Sequence, residues 1–344
     1  MSHNSIVRAQ SGLLRTTHSK TGVELPQGCH AERQKRRVGA LPVPSSIPHT
    51  HRVAKNSAER NVGAIHDWPV FGVVRHRRGV SATLEVQRRT AAPIGLFVIS
   101  LITLVATARI ALASSRGQLM DQRAMESIYA GPDAKQTVLG YLGYISIGTA
   151  AAALVTCVVF ALVQGRLRLA LAAVIIIAGA NVTTQVLKYF LLDRPDLGFS
   201  TLNSLPSGHT TVVTSVVLAT LLVAPPALRP LFAIAGSFVV TLTGSSTVAA
   251  GWHRPGDIIA ALAVCLLWAA AVALFVGVRS VGAGAITTTL ASLAGAAAAG
   301  IFLIVVGVRP TGGWEGVVDA AIVLGVIGAF TALMLGSFAR LTPN

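Results

Sequence analysis

From Pro93 to the C terminus the chain alternates between apolar blocks about twenty residues long and short stretches where charge, proline and glycine collect. The blocks run over 93–114, 138–163, 169–191, 209–227, 230–250, 257–278, 283–308 and 316–338. Roughly 20 apolar residues in helical form cross the hydrocarbon core of a bilayer, so the pattern predicts eight membrane-spanning helices. The stretch PPALRP, Pro225–Pro230, divides what would otherwise be one overlong run, because proline ends a helix. Glycine and alanine dominate the last two blocks, a composition suited to close helix–helix packing. Before Pro93 there is no sustained apolar period and no continuous hydrophobic stretch of the signal-peptide kind. Residues 1–92 therefore read as a disordered basic tail able to touch anionic lipid headgroups.

Composition sharpens this picture. Hydrophobic residues make up 53% of the 344, charged residues only 12%, and the mean hydropathy is +0.66. Soluble domains carry about a quarter of their residues as charges, so the body belongs in lipid. Residues 1–92 hold 15 Lys/Arg against 5 Asp/Glu, leaving 13 against 8 for the other 252 residues. The fold class that follows is all-α, a polytopic membrane helix bundle. With the basic tail in the cytoplasm, alternate counting puts Arg166, Arg168, Arg229, Arg279 and Arg340 inside, as the positive-inside rule requires. Loops 115–137, 192–208, 251–256 and 309–315 then face outward, at the plasma membrane. The runs RQKRR (Arg33–Arg37) and RHRR (Arg75–Arg78) lack interleaved aromatics, and no nucleic-acid partner is expected. Cys29, Cys157 and Cys265 have no motif spacing, so neither a disulfide nor a metal site is expected.

Seven of the nine histidines precede residue 93; His209 and His253 alone lie in the apolar body, both on the predicted outer face. They fall within three stretches that hold most of its unusual polar residues: KYFLLDRPD (Lys188–Asp196), PSGH (Pro206–His209) and SSTVAAGWHRPGD (Ser245–Asp257). Ionisable groups gathered at a membrane edge are costly to keep without a use. PSGH runs into a helix start, where the backbone N–H groups of Ser207, Gly208 and His209 can point at an anion, helped by the helix dipole. Lys188 and Arg194 add positive charge, Arg194 as a fork suited to phosphate oxygens. His253 and Asp257 stand four apart across Pro255, so the carboxylate can fix the tautomer of the imidazole and raise its basicity. An imidazole so oriented can attack phosphorus while a second, His209, protonates the leaving oxygen. Plainer uses exist for each: snorkelling for Lys188, interfacial anchoring for Arg194, capping for Ser207, dipole compensation for Asp257.

Together these stretches resemble the type 2 phosphatidic acid phosphatase superfamily of integral-membrane lipid phosphatases, whose motifs are K-x6-RP, PSGH and SR-x5-H-x3-D. PSGH is present letter for letter, and Ser246, His253 and Asp257 keep the spacing of the third motif. The resemblance covers roughly 93–280 and implies a six-helix phosphatase-like core there, with 281–344 as two additional spans. It implies His253 as nucleophile through a phosphohistidine, Asp257 as its orienting partner and His209 as general acid. Lys188, Arg194, Ser207 and Gly208 would hold the phosphoryl group of a lipid phosphate substrate, with no metal and no cofactor. Two departures stand out: five residues, not six, separate Lys188 from Arg194, and Thr247 replaces the arginine of the third motif. Arg254, beside the nucleophile, is the residue that could substitute. The leading expectation is therefore hydrolysis of a lipid phosphomonoester or polyprenyl pyrophosphate. A phosphotransferase using the same residues, and a non-catalytic lipid-phosphate binder, are the alternatives.

Overall fold

The computed structural model describes residues 73–196, 203–277 and 284–342. Helix α1 (Val73–Ala113) starts twenty residues before the expected boundary at Pro93, which lies inside it. The segment from Val73 to Ala92 is rich in Arg, Val and Ala, with one glycine and no proline, so nothing in it stops a helix; the expected tail shortens accordingly, and residues 1–72 lie outside the described residues.

The second departure lies in 115–137, expected as a plain loop. It forms α2 (Ser115–Glu126), β1 (Ile128–Ala130) and the start of α3 (Pro132–Gly143). Ser114 caps α2 by accepting from the Gly117 N–H at 3.2 Å, and Pro132 opens α3 at a position where no amide is needed. The expected span 138–163 is divided between α3 and α4 (Ile147–Val163), whose axes differ by 49°. Ser146 and Thr149 form a reciprocal capping box that starts α4 afresh.

Helix α5 (Leu167–Val186) continues into a π turn, Leu187–Leu191; α6 covers Gly208–Val223 and α7 Arg229–Ala249, with the proline-rich break between them. Helix α8 (Pro255–Val276) is followed by α9 (Gly284–Val306), β2 (Val308–Pro310) and α10 (Val317–Ala339). Six helices among the described residues are long and apolar enough to cross a membrane, seven counting the bent α3–α4 pair as one span. The eighth expected span, α6, is only 16 residues long, about 24 Å against a hydrocarbon core of about 30 Å. It is enclosed by α4, α5, α7 and α8, so its ends need not reach lipid. The protein is thus an integral membrane helix bundle.

Helices α6, α7 and α8 carry the interior, with Leu218, Leu221, Leu222, Ile258 and Leu262 fully buried. Small residues set the closest approaches. A Cβ added at Gly236 of α7 would lie 2.4 Å from Val217 of α6, and one at Gly295 of α9 would lie 2.2 Å from the Ile234 carbonyl of α7. The last two helices pack on α7 and α8, within the compact unit Trp68–Asn344. Strands β1 and β2 pair antiparallel, Tyr129 opposite Arg309, which puts loops 115–137 and 309–315 at one end of the bundle.

Candidate active site

At that same end the three polar stretches meet around Asp257. Helix α7 ends in a glycine-based C-cap: Gly251 adopts φ +74°, its N–H donates to the Val248 carbonyl at 2.9 Å, and the Trp252 N–H donates to Thr247 at 3.0 Å. The His253 N–H joins the same Thr247 carbonyl at 3.2 Å. Four residues on, Pro255 opens α8 and Asp257 occupies its first turn, where a carboxylate offsets the helix dipole.

Asp257 is fully buried, and its Oδ2 accepts three hydrogen bonds: from the Ser204 hydroxyl at 2.5 Å, the Arg254 N–H at 2.9 Å and Nδ1 of His253 at 3.2 Å. A carboxylate accepts and does not donate, so Nδ1 carries the imidazole proton and Nε2 presents its lone pair. Oδ1 of Asp257 faces Nη2 of Arg194 at 3.9 Å, with both side chains fully buried. Among the described residues, Nε, Nη1 and Nη2 of Arg194 have no hydrogen-bond partner. A buried guanidinium with unfilled donors is a standing demand for an oxyanion. The one-residue shortening between Lys188 and Arg194 has therefore not pulled the arginine out of the site.

Arg254 is buried as well. Its Nη1 donates to the Ser204 hydroxyl oxygen at 3.3 Å and its Nε to Oε1 of Gln122 at 3.0 Å. It points into the cluster, and its charge reaches Arg194: burial first, then Arg254, draws the Arg194 guanidinium below its ordinary range, against the opposing pull of Asp257 and Asp121. Thr247 cannot replace a clamping arginine, because its hydroxyl donates to the Gly244 carbonyl at 2.7 Å within its own helix. Ser246, at family spacing, is also buried, with no hydrogen-bond partner for its hydroxyl among the described residues.

His209 sits half-buried on the first turn of α6, its ring centroid 5.7 Å from that of Trp252, and within electrostatic range of His253 and Lys188. Lys188 rides on the π turn, half-buried, with Nζ 5.8 Å from the Tyr189 ring centre. The sequence reading gave all three amides of Ser207, Gly208 and His209 to an anion, and here the structure differs. The Ser207 N–H donates to the Asp257 carbonyl at 3.0 Å, lashing the start of α6 to that of α8. Its hydroxyl accepts from the Thr210 N–H at 3.4 Å, capping α6. The forward donors are then the amides of Gly208 and His209, which a helix's first turn leaves without internal partners. A Cβ at Gly208 would meet nothing within 4 Å, so space lies open over them.

Four contributors were absent from the motif reading. Ser204 links Asp257 to Arg254, and Asn203 donates to the Lys188 and Leu192 carbonyls at 3.2 and 2.5 Å, tying the π turn to the PSGH entry. From α2, Gln122 holds Arg254, and Asp121 accepts the Gly256 N–H through Oδ1 at 2.8 Å. Burial first, and the charge of Asp257 next, push the Asp121 carboxyl up to about 6. Gln118, Asp121 and Gln122 at i, i+3 and i+4 were a readable one-sided polar stripe. Among the described residues no group of three or more His, Cys, Asp or Glu side chains is placed to hold a metal ion.

The site thus joins a buried His–Asp pair to an arginine with unfilled donors, at one end of a membrane helix bundle. Residues 169–280, from α5 through α8, match the family model of the PAP2 superfamily, which supports membership of the type 2 phosphatidic acid phosphatase superfamily. No curated protein and no solved structure matches the chain.

Proposed function

We propose that the protein hydrolyses a phosphomonoester or pyrophosphate carried on a lipid, through a phosphohistidine. Nε2 of His253 attacks phosphorus as the bond from phosphorus to the lipid oxygen breaks. His209 gives its proton to that oxygen. Water then attacks the phosphohistidine, His209 takes a proton from it, and inorganic phosphate leaves with Nε2 restored. Asp257 holds the imidazole tautomer throughout. Arg194, Arg254, Lys188 and the amides of Gly208 and His209 take the phosphoryl oxygens, the kind of fixed donor array that stabilises charge building up in the transition state. Ser207 contributes as the cap that orients those amides.

The observation that carries this reading is the Arg194 guanidinium, buried beside Asp257 with its donors unfilled. The inward-pointing Arg254 supports catalysis over mere binding, since it supplies the positive charge that Thr247 lacks. The basic residues Arg166, Arg229 and Arg340 stand at the opposite helix ends from the site, which supports an extracytoplasmic active site in the plasma membrane.

The test is phosphate release by purified protein from a panel of lipid phosphates and pyrophosphates, beside His253→Ala, with and without an alcohol acceptor. The reading expects turnover abolished by the substitution and labelled phosphate trapped on His253 after acid-free quenching. Turnover that survives His253→Ala refutes it.

A further inference from the structure

The wall of α6 that carries His209 does not end there. Val212, Val213, Val216, Val217 and Thr220 follow at +3, +4, +7, +8 and +11, a single stripe on one helix face. These five residues line one side of a cavity of about 400 Å³. Phe232 and Gly236 of α7 form a second side, and the α3–α4 elbow, from Tyr141 to Ala153, forms the third. The 49° bend at that elbow separates α3 from the line of α4, and the capping box at Ser146 fixes it. The close approach of Gly236 to Val217 holds α7 against α6 on the cavity's inner side.

From these contacts we infer that the cavity takes the hydrocarbon chain of the substrate whose phosphate sits at His209. The inference rests on the phosphatase reading above and adds to it the place of the tail. Eleven residues of α6 rise about 16 Å, about half of a hydrocarbon core of about 30 Å. A chain following the stripe from His209 to Thr220 thus descends through one leaflet, the depth a lipid tail occupies when its headgroup is at the interface. The volume lies near the low end for ligand cavities, roughly 300–1,000 Å³, and so suits one chain; a second chain of a diacyl lipid stays in the bilayer. The lining is valine, alanine and aromatic carbon with few polar groups: the Tyr141 hydroxyl is already engaged by Thr243 at 3.0 Å, and that of Thr220 donates to the Val216 carbonyl at 2.9 Å. The site selects for apolar length and reads no headgroup.

Two groove-filling variants from different helices, Val216→Phe and Ala153→Phe, test this with two readouts. In the first, hexadecyl phosphate bearing a diazirine midway along its chain is photolysed with the full-length protein in nanodiscs, and adducts are mapped by mass spectrometry. Wild type is expected to carry them on the α6 stripe and the elbow, reduced about tenfold in each variant and competed by unlabelled hexadecyl phosphate but not by phosphatidylcholine. In the second, each variant is expected to raise KM for hexadecyl phosphate about tenfold while butyl phosphate turns over at the wild-type rate. Adducts that map elsewhere, that phosphatidylcholine competes away, or that both variants leave unchanged overturn the inference. Absence of any turnover in wild type, with adducts still in the groove, sinks the phosphatase reading alone and leaves the tail site standing.

Discussion

Replacing Arg254 with alanine removes the one guanidinium able to stand in for the arginine that Thr247 displaced. Two hydrogen bonds anchor that side chain, to Ser204 at 3.3 Å and to Gln122 at 3.0 Å, and the loss leaves Arg194 as the sole buried cation described at Asp257. Removing one fixed donor from an oxyanion site costs about 2.7–4 kcal/mol, or 10²- to 10³-fold in kcat, and that is the expected loss for Arg254→Ala. Gln122→Leu leaves the arginine in place but takes away one of its two anchors. A hydrogen bond to a charged group contributes about 1.5–3 kcal/mol, part of which water and Ser204 recover, so a five- to thirtyfold fall in kcat/KM is expected. The double variant discriminates. If Gln122 acts through Arg254, then Arg254→Ala with Gln122→Leu is no slower than Arg254→Ala alone, and the two effects fail to add. Phosphate release from a lipid phosphomonoester in mixed micelles measures all four proteins. Wild-type kcat in Arg254→Ala would refute the clamp; strictly additive losses would refute the positioning of Arg254 by α2.

Two further substitutions separate activity from stability. Gly208→Ala meets no protein atom within 4 Å, and alanine in a helix is worth about 0.5–1 kcal/mol over glycine. Thermal unfolding should therefore hold or rise while kcat/KM falls at least tenfold, because the methyl covers the open amides; equal activity would contradict anion binding there. Asp121 has its carboxyl raised from 3.8 to about 6, so the folded protein binds the extra proton between those values. Stability from this group is present below about pH 4 and is lost as pH rises to about 6, a loss of about 3 kcal/mol. Asp121→Asn should flatten that slope and be more stable than wild type at pH 7, read as melting temperature across pH 4–7; an unchanged slope would be contrary to the burial argument.

The long apolar blocks announced most of the bundle, because membrane-spanning helices advertise themselves by length and apolarity alone. The elbow at Tyr144–Ser146 was invisible to that signal: Ser146 and Thr149 interrupt an apolar run only slightly, and the bend comes from their mutual capping. The short α6 was likewise hidden, since burial by neighbours relieves a helix of the need to match the bilayer. In the candidate site, PSGH and H-x3-D led straight to the His253–Asp257 contact, a local i, i+4 geometry. The contribution of α2 was not legible by motif, because Gln122 and Arg254 are 132 residues apart and only tertiary packing joins them. The commitment of the Ser207 amide to the Asp257 carbonyl was hidden for the same reason.

The small β1–β2 ladder ties the C-terminal helices to the segment that carries Asp121 and Gln122. The Thr311 N–H donates to the Ser127 carbonyl at 2.9 Å and its hydroxyl to that of Glu126 at 2.6 Å, so the far end of α2 is fastened by residues the ribosome makes late. Until they emerge, α2 is held from its middle, through Asp121 to Gly256 and Gln122 to Arg254, and its far end lacks this second tie. A chain ending after α8 would keep every motif residue and lose the two hydrogen bonds by which Thr311 holds the end of α2.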